Sequence, residues 1–230
     1  MRLDKFLSYH GFGSRQQVKQ LIKGKLVTIN DLVCVDDGKH VSINDMIKVD
    51  GQQVTWVDKV YYMLNKPKGY VCANEDKLYP TVFALIQDYL PPDCFVVGRL
   101  DVDTEGLVLI SNDGQLAHQL LNNKKHVPKV YEVHAVVAIT DEMVSQLETG
   151  VIIDGELTLP AKVKLISSQV MELTITEGRF HQVKKMLMAV GNEVGYLKRL
   201  KINHLVLDPH LALGQSRPLT DEEIIRLSER

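Results

Sequence analysis

The chain has 230 residues, of which 45% are hydrophobic and 24% charged, a composition typical of a folded globular protein with one large core or two smaller ones. Three cysteines without a Cys-x-x-Cys pair, and eight scattered histidines, argue against a disulfide framework and a structural metal. No signal-peptide core opens the chain and no apolar run approaches membrane-spanning length, so we expect a cytoplasmic protein that does not bind a membrane.

The net charge of −2 conceals two basic segments. Residues 1–25 hold six basic residues against Asp4 alone, and residues 179–201 hold six against Glu193 alone. The acidic residues concentrate in 31–58 and at the C-terminus. Because the local field governs contact with a polyanion, either segment can bind a phosphate backbone. The alternative for each is an ordinary solvated helix face.

The sequence of residues 1–58 predicts a pair of helices packed with a small curled sheet. A capping box at Ser14–Gln17 opens a helix that stops at Gly24. Short alternating runs at 26–29 and 46–49 predict strands, and a polar linker follows around 51–59. The helix has an apolar stripe of Val18, Leu21 and Ile22 and a basic face of Arg15, Lys19 and Lys23.

Residues 59–230 predict a larger α+β domain. A strand over 61–66 ends in a Pro/Gly turn, helix-like stretches follow around 81–89 and 115–121, and strands are expected around 130–138, 151–153, 162–166 and 170–176. Strand runs interrupted by a few helices favour a mixed, largely antiparallel sheet with flanking helices.

A carboxylate-rich turn separates two apolar runs, 95–97 and 107–110. It carries Asp101, Asp103 and Glu105. A carboxylate beside a hydrophobic sheet costs free energy unless it is paired, which makes the turn a candidate for chemistry. Three other interpretations are an amide-capping turn, a salt-bridge cluster with Arg99, and a calcium loop. The calcium loop lacks its bidentate glutamate, because Asn112 stands there.

Two further segments contain candidate site residues. Tyr131 lies in the predicted strand Lys129-Val130-Tyr131-Glu132-Val133. In the segment 177–191, Lys184 lies off the centre of an apolar stripe that ends at Gly191. The stripe comprises Phe180, Val183, Leu187 and Val190.

Together these segments resemble, in order, the motifs of the RNA pseudouridine synthases, in the branch that modifies ribosomal RNA. The matching runs are Asn65-Lys66-Pro67-x-Gly69, Gly98-Arg99-Leu100-Asp101-x-Asp103-x-x-Gly106-Leu107, Lys129-x-Tyr131-x-Val133 and Arg179-x-His181-Gln182-Val183-Lys184.

Residues 1–58 resemble an S4-type RNA-binding domain, through Arg2-Leu3-Asp4-Lys5-Phe6-Leu7, Gly13-Ser14-Arg15 and Lys25-Leu26-Val27. One departure is Asn30-Asp31, where Asn-Gly is common. The resemblance implies an S4-like domain over 1–58 and a catalytic domain over 59–230.

The resemblance also implies roles for particular residues. Asp101 would be the catalytic nucleophile, Tyr131 would stack on the target base, and Lys184 would pair with the aspartate, although arginine is common at that position. The expected substrate-binding residues are Arg99, Leu197 and Arg179. The expected RNA-binding residues are Arg2, Lys5, Arg15, Lys19 and Lys23. Neither a metal nor an organic cofactor is expected.

The implied activity is isomerisation of uridine to pseudouridine in small-subunit (16S) ribosomal RNA, at uridine-516. The small-subunit branch is suggested by Met63–Pro67 and by Gly214–Thr220, but large-subunit relatives share the core motifs.

The implied reaction requires that the target base be flipped out of any duplex. The aspartate can attack either the base or the sugar carbon, and the sequence leaves both routes open. We expect a monomer whose partner is ribosomal RNA or a partly assembled particle. A non-catalytic RNA-binding assembly protein is the competing hypothesis.

Overall fold

The computed structural model describes residues 1–122 and 125–229. Two compact units are present. Unit 1 contains Met1–Val60 and Asp88–Cys94, and unit 2 contains Tyr61–Gln87 and the chain from Phe95 onward. Unit 1 therefore includes a short segment from the part of the sequence that we assigned to the larger domain.

Unit 1 is the expected helix pair with a small antiparallel sheet. Its elements are α1 (Leu3–Tyr9), α2 (Arg15–Lys23), β1 (Val27–Ile29), β2 (Leu32–Val33), β3 (Ile47–Val49) and β4 (Gln52–Gln53), with sheet order β2-β1-β3-β4. The capping box at the start of α2 is present, with Ser14 accepting from the Gln17 amide and the Gln17 side chain accepting from the Ser14 amide. Val18 and Ile22 of the predicted stripe are fully buried. Asn30 and Asp31 both have positive φ in the β1–β2 turn, a conformation that Asn and Asp tolerate.

Unit 2 is built on one large mixed sheet, with a separate two-stranded antiparallel hairpin. Its elements are β5 (Tyr61–Lys66), a 3-10 helix (Val82–Leu85), β6 (Phe95–Val97), β7 (Glu105–Ser111), α3 (Gly114–Leu121), β8 (Lys129–Ala135), α4 (Asp141–Thr149), β9 (Ile152–Ile153), β10 (Glu156–Leu157), β11 (Lys162–Leu165), β12 (Val170–Ile175), α5 (Gln182–Ala189), β13 (Val194–Ile202), β14 (Leu205–Val206), β15 (Ser216–Pro218) and α6 (Asp221–Ser228). The strand order is β11-β12-β8-β13-β7-β5-β15, with β14 beside β13 and β6 beside β7. Each pairing in this sheet is antiparallel except that of β7 with β13. The predicted α+β class with a largely antiparallel sheet is thereby confirmed.

Strand β7 lies inside this sheet, and its residues 107–110 are fully buried. Both faces of the strand are covered, which explains why its sequence is a continuous apolar run and not an alternating one. Side chains of α3 and α6 pack into the same core as β7, through Leu116, Leu120 and Leu227.

Gly106 permits the parallel pairing of β7 with β13. Its φ is +103°, and a Cβ at this position would lie 2.3 Å from the carbonyl oxygen of Arg199. No other residue type can accept so close an approach by a neighbouring backbone. The glycine of the Asp101 motif is therefore required by the strand that packs against it.

Two sequence expectations were wrong. The helix expected around 81–89 is only a 3-10 turn, Val82–Leu85. Pro91 and Pro92 disfavour helix just before them, and Tyr89 instead joins unit 1, where its hydroxyl donates to the Tyr9 carbonyl at 2.7 Å. Phe180 is not part of the apolar stripe, because α5 begins at Gln182 and the Phe180 side chain is 68% exposed. Helices α4 and α6 were not predicted.

The helices of the described residues include none that is long and apolar enough to cross a membrane.

Candidate active site

One cavity in unit 2, of about 740 Å³, collects the predicted site residues. Its walls come from the loop between β6 and β7, from β8 and β13, and from the segment that opens α5. The lining includes all six residues expected to act in catalysis or substrate binding: Asp101, Tyr131, Lys184, Arg99, Leu197 and Arg179. Segments that are far apart in sequence thus meet around a single space.

Asp101 lies in the loop 98–104, whose ends are fixed because β6 and β7 pair antiparallel. Its carboxylate is 28% exposed and faces two basic side chains. The Lys184 ammonium lies 3.2 Å from one carboxylate oxygen, and the His181 Nε2 atom lies 3.4 Å from the other. Lys184 also binds Asp103, at 2.6 Å. The sequence predicted the Asp101–Lys184 pair but missed the contributions of His181 and Asp103.

The ion pairs keep Lys184 charged. Partial burial by itself would lower the pKa of Lys184, but hydrogen bonds and charge from Asp103 and Asp101 outweigh it and raise that pKa above its ordinary value. Burial also opposes ionisation of Asp103, yet Lys184 brings the pKa of that carboxyl below its usual range. The result is a fixed positive charge beside Asp101 at neutral pH.

Lys66 supports the Asp101 loop from inside the protein. Its side chain is fully buried, and its ammonium donates to the carbonyls of Asp101 at 2.9 Å, Thr104 at 2.8 Å and Pro67 at 3.1 Å. A fourth, longer bond of 3.4 Å reaches Val102. Desolvation lowers the pKa of Lys66. The Asn-Lys-Pro motif therefore ends a strand with a lysine that binds the loop carrying Asp101.

Arg199 joins the first residue of the loop to the strand that follows it. Its guanidinium is 1% exposed and donates to the carbonyls of Gly98 at 2.7 Å and Leu107 at 2.8 Å. The sequence placed Arg199 in a basic segment expected to bind phosphate, but in the structure its side chain is buried and hydrogen-bonds to backbone carbonyls inside the protein. The basic segment 179–201 is therefore not one continuous surface.

Tyr131 and Leu197 lie on neighbouring strands of the cavity wall. Their side chains are 8% and 6% exposed, and both line the cavity. Strand β8 pairs with β13, so that Tyr131 lies opposite Arg199 and Leu197 lies opposite Val133. An aromatic ring and an apolar side chain at one cavity suit a planar base.

The two remaining arginines of the cavity differ in their surroundings. Arg99 is exposed, and no hydrogen bond or ion pair holds its side chain within residues 1–122 and 125–229. Arg179 instead binds the Glu177 carboxylate at 3.1 Å and the Leu157 carbonyl at 2.8 Å. Those bonds attach the β9–β10 hairpin to the segment before α5, which favours a structural role for Arg179 over contact with phosphate.

The predicted RNA-binding residues of unit 1 lie at the surface. Lys5, Arg15 and Lys23 are exposed. Arg2 pairs with Asp4 at 3.0 Å, and Lys19 pairs with Asp37 at 2.9 Å. Two of the five cations are thus already in ion pairs.

In the described part of the chain, no group of three or more His, Cys, Asp or Glu side chains is arranged to hold a metal ion.

Comparisons with known proteins agree with this architecture. The family model described as RNA pseudouridylate synthase matches residues 60–189, and the S4 domain model matches residues 1–47. An uncharacterised RNA pseudouridine synthase of Bacillus subtilis is 48% identical, over 100% of this chain and 99% of the relative. A ribosomal small subunit pseudouridine synthase A of Yersinia pestis is 41% identical, over 97% of each chain. The corresponding protein of Escherichia coli K12 is 38% identical, over 97% of this chain and 98% of the relative.

A solved structure supports the same assignment. The crystal structure of a pseudouridylate synthase has a TM-score of 0.71 and 39% sequence identity, and covers 99% of both chains. Sequence motifs, the site around Asp101, the matching family model and full-length relatives coincide. The chain belongs to the RNA pseudouridylate synthase family and carries an N-terminal S4 domain.

Proposed function

We propose that this protein isomerises uridine to pseudouridine in small-subunit (16S) ribosomal RNA, at uridine-516, with Asp101 as the nucleophile. The observation that carries the proposal is the setting of Asp101: its carboxylate lies between Lys184 and His181 at a cavity that Tyr131 also lines. A nucleophile, a fixed cation and a platform for a base are the parts that this reaction needs.

The chemistry requires an ionised carboxylate that attacks and later leaves. Lys184 holds a positive charge 3.2 Å from Asp101, which favours the ionised form and orients it. The attack is directed either at the uracil ring or at carbon 1′ of the ribose. In both cases the nucleotide must leave its stack to reach a buried wall such as Tyr131.

The target RNA is inferred from relatives. Two of the relatives described above, from Yersinia pestis and Escherichia coli, are named ribosomal small subunit pseudouridine synthase A, and identities of 38–41% over nearly the full length favour the same RNA for this chain. Exposed cations on unit 1 supply a surface for the phosphate backbone. The substrate is naked RNA or a partly assembled small-subunit particle, and the protein acts as a monomer in the cytoplasm.

The test is tritium release from small-subunit RNA labelled at carbon 5 of its uridines. Wild-type protein is expected to release tritium, and Asp101→Asn, which keeps the shape but removes the nucleophile, is expected to release none. Asp141→Asn is the matched control and should be fully active, because Asp141 is exposed at the start of α4 and does not line the cavity. RNA affinity should survive in Asp101→Asn. Sequencing of the product then locates the modified base.

Two other results of the tritium assay would change the proposed substrate or the proposed activity. Release from large-subunit RNA alone would move the substrate to the other ribosomal subunit while leaving the reaction unchanged. RNA binding without release by wild type, on naked RNA and on particles, would favour a non-catalytic assembly protein.

A further inference from the structure

Lys129 is a buried cation of the cavity wall that lacks an anionic partner. It opens β8, its side chain is 7% exposed, and it lines the same cavity as Asp101. Its ammonium donates to the Val127 carbonyl at 3.2 Å, and no carboxylate pairs with it among the residues that the structure describes. An ammonium has three donors, so two of them remain available.

The surroundings of Lys129 make this arrangement costly. Ile175 and Ile202 are its neighbours on the adjacent strands. Burial lowers the pKa of Lys129 to about 8, and the charge of Arg199 acts in the same direction. Arg199 cannot take over the task of Lys129, because its guanidinium donates to the Gly98 and Leu107 carbonyls. A buried ammonium with free donors at a cavity is suited to bind an acceptor oxygen.

The depth of Lys129 identifies which part of a nucleotide it would meet. A flipped nucleotide enters base first, while its phosphates stay with the backbone outside. Arg99 is exposed and free to contact phosphate, whereas Lys129 is more than nine-tenths buried. The oxygens that reach so far into the cavity are the carbonyls of uracil.

We propose that Lys129 is a further catalytic residue, which donates a hydrogen bond to a carbonyl oxygen of the flipped uracil. This role rests on the proposed function. If Asp101 attacks the sugar, the C1′–N1 bond breaks and its electron pair spreads over the base onto the carbonyl oxygens. If Asp101 adds to the ring at carbon 6, the electron pair of the C5–C6 double bond moves to the oxygen on carbon 4, and the C1′–N1 bond breaks in a later step.

Both routes therefore build negative charge on the oxygen of carbon 4, and this is the carbonyl oxygen to which we assign the Lys129 hydrogen bond. The electron pair is used to form the C1′–C5 bond, and the bond to Asp101 breaks, which regenerates its carboxylate. The proton on carbon 5 then leaves to solvent and N1 takes one up, so charge and atoms balance. A donor aimed at the developing oxyanion binds the transition state more tightly than the ground state and so accelerates the reaction.

The decisive variant is Lys129→Met in the full-length protein. Methionine fills a similar volume and removes an unpaired buried charge, so the melting temperature should be equal or higher. The kcat for tritium release near pH 7 is expected to fall about 100-fold, as for loss of one oxyanion donor, with KM and RNA affinity unchanged. Lys164→Met is the matched control, because Lys164 belongs to the same sheet but is exposed and pairs with Glu172; it should retain full activity.

Three outcomes would overturn the role of Lys129. An unchanged kcat in a stable Lys129→Met protein would exclude catalysis. A raised KM with a smaller salt dependence of RNA binding would indicate phosphate as the partner. Parallel losses of stability and activity would indicate a structural lysine. An inactive wild type would instead remove the proposed function, so the two failures are distinguishable.

Discussion

Two buried lysines of unit 2 show how the number of acceptors decides what a charge does. Lys66 has four carbonyl oxygens within 3.4 Å of its ammonium, whereas Lys129 has the Val127 carbonyl. The first arrangement satisfies the ammonium and ties the loop together, and the second leaves donors available to a ligand. The same residue type thus serves stability in one place and binding in another.

Because Lys66 is satisfied by carbonyls and Lys129 is not, replacement by methionine should lower the stability of the protein at Lys66 but not at Lys129. Lys66→Met leaves several buried carbonyls without a donor, so we expect a loss of about 3 kcal/mol of unfolding free energy, or roughly 6–12 °C in melting temperature. Lys77→Met, at an exposed position of the same unit, is the control and should be neutral. Thermal unfolding followed by circular dichroism measures both. A Lys66→Met protein as stable as wild type would show that the loop does not depend on this lysine.

At the scale of elements, the contact between β7 and β13 positions the site, because β7 leads out of the Asp101 loop and β13 carries Leu197 and Arg199. Gly106 is the point of closest approach. A Cβ there would meet the carbonyl oxygen of Arg199 at 2.3 Å and its amide nitrogen at 2.7 Å. Both atoms are backbone, so no side-chain rotation relieves the clash.

Gly106→Ala is therefore expected to destabilise the protein by more than about 3 kcal/mol, through steric overlap in addition to backbone strain. Gly69→Ala separates the two effects, since Gly69 also has a positive φ, +86°, but has nothing within 4 Å of a Cβ. The control should lose only about 1 kcal/mol. Urea unfolding midpoints measure the difference, and equal losses in the two variants would refute the steric explanation.

At the scale of the whole molecule, RNA binding is expected to depend on the basic surface of unit 1. Lys23 is exposed, while Lys19 must give up its ion pair with Asp37 to reach a phosphate. Lys23→Ala should lower affinity and reduce the slope of log K against log salt by about 0.7–0.9, as for one lost phosphate contact. Lys19→Ala should reduce the slope less.

Fluorescence anisotropy of a labelled RNA, titrated at several salt concentrations, measures both slopes. Lys164→Ala is the control for removal of an exposed lysine from unit 2. If neither unit 1 variant changes the slope, Lys19 and Lys23 belong to an ordinary solvated helix face.

The sequence by itself determined whatever depends on neighbours along the chain. The capping box of Ser14, the strand that carries Tyr131 and the buried run of β7 are local patterns, and the structure confirms each. The motif around Asp101 and its resemblance to a family led to the right class of protein. Local pattern failed where a residue had partners far away, as for Tyr89, which joins unit 1 and does not continue a helix.

Only the tertiary structure decided what surrounds Asp101. Lys66 reaches the Asp101 carbonyl across 35 residues, and Arg199 reaches Gly98 across 101. Sequence shows that these side chains are cations but not whether they are buried or which carbonyls they meet. Burial and hydrogen-bond partners arise when distant strands pack together, and these set the free energy of each charge. For this reason the family could be inferred from the sequence, whereas the roles inferred for Lys66, Arg199 and Lys129 depend on the fold.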